Sequence, residues 1–348
     1  IGKSWIKWEQ HTEFATYTIF SEGVDKRPFD PINFSTFPDD WLADAPGQRV
    51  TSALLRIEQT ADRAHVATCL TDWFVPESLA VSSVLDDAAV VAGDFRIDPA
   101  GHQRFAVFAK PETGARRVGR IVQRLCEIET YKAMSMLGFA HAQNMGGTLN
   151  ALDGQLTDLM GNMSSEQAAA ETTLHDLLTI ASKLENLSAR GSFRFGATGA
   201  YAAIVNQRIE ALREERFEGR QSFAEFMMRR YEPAMRTVKS AELRLDAMSS
   251  RSIRAGNLLR TRVDVERSAQ NQALLTSMDR RADQQLHLQR TVEGLSVVAI
   301  SYYAVSLVGD LIYPLADMTG LSKGMMTALI TLPVVGLVWA ILRRMQRQ

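Results

Sequence analysis

Two apolar stretches, Leu295–Leu315 and Met325–Leu342, lie side by side just before the C-terminus. The second carries no charge, and the first carries only Asp310. About 20 apolar residues rising ~1.5 Å each cross a ~30 Å hydrocarbon core. The pair therefore predicts a helical membrane hairpin with a tight connection around Ala316–Lys323. The competing reading, a soluble core holding two apolar helices, fits the lengths and flanks less well. Arg280, Arg281 and Arg290 precede the first span, and Arg343, Arg344 and Arg347 follow the second. The intervening loop offers only Lys323. Lys and Arg are retained on the cytoplasmic side, so both ends of the hairpin are expected in the cytoplasm, and the lipid bilayer is the first expected partner.

The rest of the chain reads as water-soluble. A formal net charge of −1 over 348 residues gives no reason to expect nucleic acid. Cys69 and Cys126 are the only cysteines, which suggests a reducing compartment without a disulfide framework. The chain opens with Ile1 in a strand-like run, so further residues upstream are expected.

The texture divides into three parts. Residues 1–112 predict a cytoplasmic α+β domain with a mixed or antiparallel sheet. Its strands are expected at Trp5–Trp8, Ala15–Phe20, Val50–Ile57, Val66–Phe74, Ala88–Ile97 and Arg104–Ala109, with a helical turn at Asp39–Leu42. Residues 113–293 predict a helical bundle and stalk. Helices are expected at Arg116–Leu137, Leu149–Met160, Glu166–Ala189, Tyr201–Phe217 and Phe223–Arg230. Breaks are expected at Gly138, at Gly146–Gly147 and in a turn over Arg190–Gly196. Between Pro233 and Pro314 some 80 residues lack a proline, enough for one nearly continuous helix of ~120 Å. Its apolar seam is interrupted by small and polar residues, so it predicts a stalk rather than a strict heptad coiled coil. It would join a cytoplasmic rod to the first span. Residues 294–348 form the hairpin and its basic tail.

No catalytic or nucleotide motif is present: there is no Gly-rich loop ending in Gly-Lys-Ser/Thr, no G-x-S-x-G and no paired C-x-x-C. No cofactor is therefore expected. The six histidines lack H-x₃-H pairing, which argues against a dedicated zinc site. Glu9, His11 and Glu13 alternate. On a strand they would share one face, where two carboxylates and an imidazole suit a divalent cation or acid–base chemistry. The alternative is a solvated sheet face opposite core residues Trp8 and Phe14. Arg116, Arg117, Arg120 and Arg124 form a basic stripe that meets acidic lipid or an acidic partner, or simply lies solvated against carboxylates. The same choice applies to Arg251, Arg254, Arg260 and Arg262. In the first span, Ser296, Tyr303, Ser306 and Asp310 share one helical face. Polar groups in a bilayer are costly and usually face a bundle interior or a water path. The stripe thus reads as a pore or oligomer contact, or as a hairpin contact with Asp310 at the outer headgroups.

Particular strings carry a resemblance: Trp8–Phe14, Ile121–Tyr131, Asn257–Asp264, Gln270–Arg281 and, most specifically, Thr291–Tyr303. The chain resembles a bacterial membrane family defined by domain of unknown function 3422, over essentially its whole length. That resemblance implies an inner-membrane location and a longer N-terminus, but no activity. The layout is also similar to that of CorA-type magnesium channels, an analogy of architecture alone. Their Gly-Met-Asn signature is replaced here by Gly309-Asp-Leu-Ile-Tyr313, which puts magnesium selectivity in doubt. Asp310 would still supply an acidic ring in an oligomer. The first expectation is a non-enzymatic, multi-pass, homo-oligomeric scaffold or sensor of the bacterial inner membrane. A CorA-like cation channel comes second and a membrane-tethered enzyme third.

Overall fold

A computed structural model describes residues 4–163, 170–319 and 323–345 of the chain. Two compact units are present, residues 1–260 and 261–348. In the first, strands β1 (Trp5–Gln10) and β2 (Ala15–Phe20) form an antiparallel hairpin. A short helix α1 (Asp39–Ala43) follows. Five further strands make one sheet: β3 (Ala53–Gln59), β4 (Ala80–Val84), β5 (Ala89–Gly93), β6 (Gln103–Ala109) and the two-residue β7 (Glu215–Arg216). Their order is β3-β6-β5-β4-β7. Only β3 and β6 run parallel, so the sheet is mixed.

Helix α2 (Arg63–Trp73) lies where the sequence pattern predicts a strand at Val66–Phe74. That expectation is corrected. Asp62 caps the helix by accepting from the Ala64 and His65 N–H groups, and Val66, Cys69 and Leu70 are buried on one stripe. Strand β4 falls in a stretch with no expected element.

The sheet is covered on both faces, so its inner strands read as unbroken apolar runs. On β6, Phe105, Val107 and Ala109 join a core with Ile121, Leu125, Ile128, Val205 and Phe223. The alternate residues Ala106 and Phe108 join Val66, Leu70 and Phe74 on the other side. Period-two alternation thus sends one strand into two cores.

The helices are longer than the pattern predicts. Helix α3 spans Ala115–Asn162 and α4 spans Ala170–Leu212, so Gly138, Gly146, Gly147 and Arg190–Gly196 all lie inside helices. A Cβ at Gly138 would sit 1.9 Å from Thr198 Oγ1, so this glycine lets α3 and α4 approach closely. Helix α5 (Phe223–Arg230) starts with a capping box between Ser222 and Glu225. Helix α6 spans Glu232–Thr319. Its early residues Val238, Leu245, Met248 and Leu259 complete a third core with Leu149, Leu156, Leu177 and Leu184.

Helix α7 spans Lys323–Met345 and contains Pro333. Residues 320–322 of the expected connection lie outside the described residues. Among the described residues one helix, α6, is long and apolar enough to cross a membrane by length and composition, and 6% of its apolar window is buried. The apolar part of α7, Thr327–Ile341, is shorter.

Candidate functional site

Strand pairing explains how a cleft forms under the β1–β2 hairpin. Directly opposed residues share a face, and Lys7 opposes Thr18 while Glu9 opposes Thr16. These four, with His11 and Phe20, make one wall of a cleft of about 640 Å³. The edge strand β3 adds Ile57 and Gln59. Helix α3 supplies the opposite wall through Ala115, Val118, Gly119, Val122, Gln123, Cys126, Glu127, Thr130 and Tyr131. Those positions recur at three- and four-residue steps, the repeat of one helical face. A Cβ at Gly119 would meet nothing within 4 Å, so this part of the α3 wall faces open space. An apolar wall with a few convergent polar groups is the usual make-up of a small-molecule site.

The hairpin tip is tied to α4. Strand β1 ends at Gln10, and the His11 N–H donates to the Phe14 carbonyl at 2.8 Å. The expected strand alternation therefore stops before Glu13. Glu9 and His11 line the cleft, whereas Glu13 leaves that face. Arg194 donates to both Glu13 oxygens at 3.2 and 2.8 Å, and the Tyr201 hydroxyl donates to it at 2.6 Å. Rings close around the tip: His11 stacks on Phe14 at 4.3 Å, and Tyr131 stacks on Tyr201 at 5.5 Å. Glu9 pairs with Lys7 at 2.9 Å. Trp8 is 59% exposed rather than a core residue.

Burial keeps the thiol and phenols around the cleft protonated. Burial and then Glu127 push the Cys126 thiol up to about 11. It is a neutral thiol near pH 7, not an activated nucleophile. Burial and then Glu127 also raise Tyr131. Burial, followed by the hydrogen bond to Glu13, raises Tyr201 to about 12. Glu127 is itself held by Arg208 and accepts from Gln123 Nε2 at 2.8 Å.

In the basic stripe, Arg117 donates to the Leu85 carbonyl and to Asp86. Arg251 reaches Asp153 and Thr157, and Arg262 pairs with Glu266. In α6, Ser296, Tyr303, Ser306 and Asp310 are all exposed. The covered stripe of that segment instead contains Ser301, which is buried, and the half-buried Ala304, Val305, Val308 and Ile312. At 100° per residue the two stripes lie roughly opposite each other. Helix α7 has its own covered stripe at Ile330, Val334 and Val338.

The family model for "Protein of unknown function (DUF3422)" matches residues 1–348. The chain belongs to the DUF3422 family. No curated protein matches it, and no solved structure matches it. Membership in DUF3422 accounts for the whole chain but brings no substrate or partner with it.

A second group was missed by sequence reasoning. Among the described residues, Glu58, His65 and Cys69 bring their donor atoms within 4.8 Å of one another. The available signal was the His65–x₃–Cys69 spacing. It carries meaning only on a helix, and this segment reads as a strand by composition.

Proposed function

We propose that this DUF3422 chain is a multi-pass protein of the bacterial inner membrane, a homo-oligomeric scaffold or sensor that presents its α+β unit to the cytoplasm. The observation that carries the reading is the apolar end of α6, which is long enough to span a bilayer and almost wholly uncovered. With α7 it makes the two spans of a hairpin, and the flanking arginines keep both ends inside. The cleft under the β1–β2 hairpin supports the sensor role, because it offers a ligand-sized space between two elements. Carbonate extraction and flotation test the anchor. Recovery with floated membranes is expected, and release with carbonate overturns it.

Homo-oligomerisation follows from the polar stripe. Ser296, Tyr303, Ser306 and Asp310 face away from the covered stripe of α6. In lipid, such groups are costly unless a neighbour or water receives them, and a second copy presents the same stripe. Light scattering in detergent, corrected for bound detergent, tests this. A multimer that dissociates on Asp310→Ala supports it, and a monomer overturns it. A closed ring of four or more copies would favour the CorA-like channel as the second reading, because several first spans would then surround one axis. Cys126, the one thiol lining the cleft, is held neutral, so no chemical step is assigned to it.

A further inference from the structure

We propose that Glu58, His65 and Cys69 bind a zinc-class divalent metal ion. The site is separate from the cleft and does not rest on the membrane reading. Strand β3 alternates: Ile57 and Gln59 face the cleft, which leaves Glu58 on the opposite face, against α2. On α2, His65 and Cys69 are four residues apart, so their side chains stack on one face.

Two of the three donor pairs stand at coordination spacing. The His65 Nε2 atom lies 3.2 Å from Glu58 Oε2 and 3.5 Å from Cys69 Sγ. Tetrahedral zinc, with bonds of about 2.0–2.3 Å to N, O and S, holds neighbouring ligand atoms roughly 3.3–3.6 Å apart. The two closest pairs therefore already stand at ligand spacing. The third pair lies within 4.8 Å.

The donor chemistry is selective. One thiolate, one imidazole and one carboxylate suit zinc or a neighbouring first-row ion, and a thiolate disfavours magnesium and calcium. With Glu58 ionised and the Cys69 thiol proton lost on binding, two negative charges neutralise a divalent cation. Arg56 also orients the carboxylate. Its Nε donates to Glu58 Oε1 at 2.6 Å, which leaves Oε2 turned toward His65. Arg56 is in turn fixed by donating to the Asp25 carbonyl at 2.7 Å and by lying over the Trp73 ring. A hydrogen-bonded ligand carboxylate of this kind is the usual outer support of a metal site. Cys69 is buried, whereas the His65 side chain is 48% exposed. An ion can enter from solvent and keep a fourth position for water, the arrangement of open rather than closed zinc sites.

The bland alternative is a His65–Glu58 hydrogen bond beside a buried cysteine, and cobalt separates the two. Purified full-length protein in detergent, stripped with chelator, is titrated with Co(II) alone. One equivalent should give visible bands of a tetrahedral ion and a near-ultraviolet thiolate-to-cobalt band, both erased by Zn(II). Cys69→Ser should abolish the near-ultraviolet band, and Cys126→Ser should keep it. His65 sits on the surface, so His65→Gln should keep the native circular dichroism while weakening binding at least tenfold. Zn(II) should raise the Tm of the wild-type chain by mass action and raise that of His65→Gln by less at the same concentration. Absence of the bands in the folded wild-type protein, or bands that survive Cys69→Ser or follow Cys126, would overturn the proposal.

Discussion

Leucines of the bundle and leucines of the last two helices are the same side chain in opposite circumstances. Leu149, Leu156, Leu177 and Leu184 are at most 1% exposed. Leu307, Leu311, Leu329 and Leu332 are 68–81% exposed. Burying a leucine is worth ~1.5–3 kcal/mol. In the bundle that energy is realised between helices of one chain. In the last helices these leucines are uncovered by the described residues, as the proposed bilayer anchor requires. Substitution should therefore have different consequences at the two sets. Leu184→Ala should destabilise the first unit by ~2–5 kcal/mol. Leu307→Ala should leave it unchanged. Chemical denaturation followed by tryptophan fluorescence reads this directly, since four of the five tryptophans (Trp5, Trp8, Trp41 and Trp73) lie in residues 1–260. An equal loss from Leu307→Ala would break the contrast.

Alkaline pH sharpens it from another side. Cys126 belongs to a helix face that its own chain desolvates. Its folded value, raised to about 11, exceeds the ordinary thiol value of about 9. The stabilisation from keeping the thiol neutral is complete below pH 9 and is lost as pH rises toward 11. Each tenfold difference between the folded and unfolded acidities of the thiol is worth about 1.4 kcal/mol. Denaturation midpoints measured from pH 8 to 11 should fall across that window, and Cys126→Ala should flatten the fall. Tyr201, raised to about 12, adds a loss of the same sign at still higher pH. A midpoint that holds steady to pH 11 would mean the thiol is solvated.

The helix boundaries explain what the sequence could convey. The β1–β2 hairpin, β6, α5 and the long α6 follow from period, caps and proline placement. Gly138 and the Arg190–Gly196 run read as breaks because glycine is a poor helix former in isolation. Tertiary contact reverses this, since the missing Cβ is what admits Thr198. Val66–Phe74 reads as a strand because Val, Thr, Trp and Phe dominate it. The Asp62 cap and the Val66, Cys69, Leu70, Trp73 spacing were the weaker but correct signals. The cost was larger than one element. On a strand, His65 and Cys69 stand ~13 Å apart, and only the helix brings them together. The alternation of Glu9, His11 and Glu13 was visible, but the turn that removes Glu13 depends on Arg194 and Tyr201, which are 181 and 188 residues away in sequence.

Glycines give a smaller test of the same contrast. Gly138→Ala should cost ~1–3 kcal/mol as overpacking against Thr198. Gly147→Ala, where a Cβ meets nothing within 4 Å, should instead stabilise by up to ~1 kcal/mol through helix propensity. Thermal melts of the two variants should move in opposite directions. If both fall, the second site is packed against something that its own chain does not supply.

The smallest effect belongs to Glu9. Its pair with Lys7 leaves both side chains nearly half exposed, and exposed pairs of this kind contribute ~0–1 kcal/mol. Glu9→Gln should thus leave denaturation midpoints almost unmoved and insensitive to salt. Glu13→Gln should lower them, because it weakens the largely buried clamp from Arg194 and Tyr201. The two carboxylates sit four residues apart in one hairpin, and only the second holds that hairpin down. Glu9 lines the cleft, and an unmoved midpoint would leave it free for the proposed sensor role. A large stability loss from Glu9→Gln would assign it to the scaffold and remove it from the binding wall.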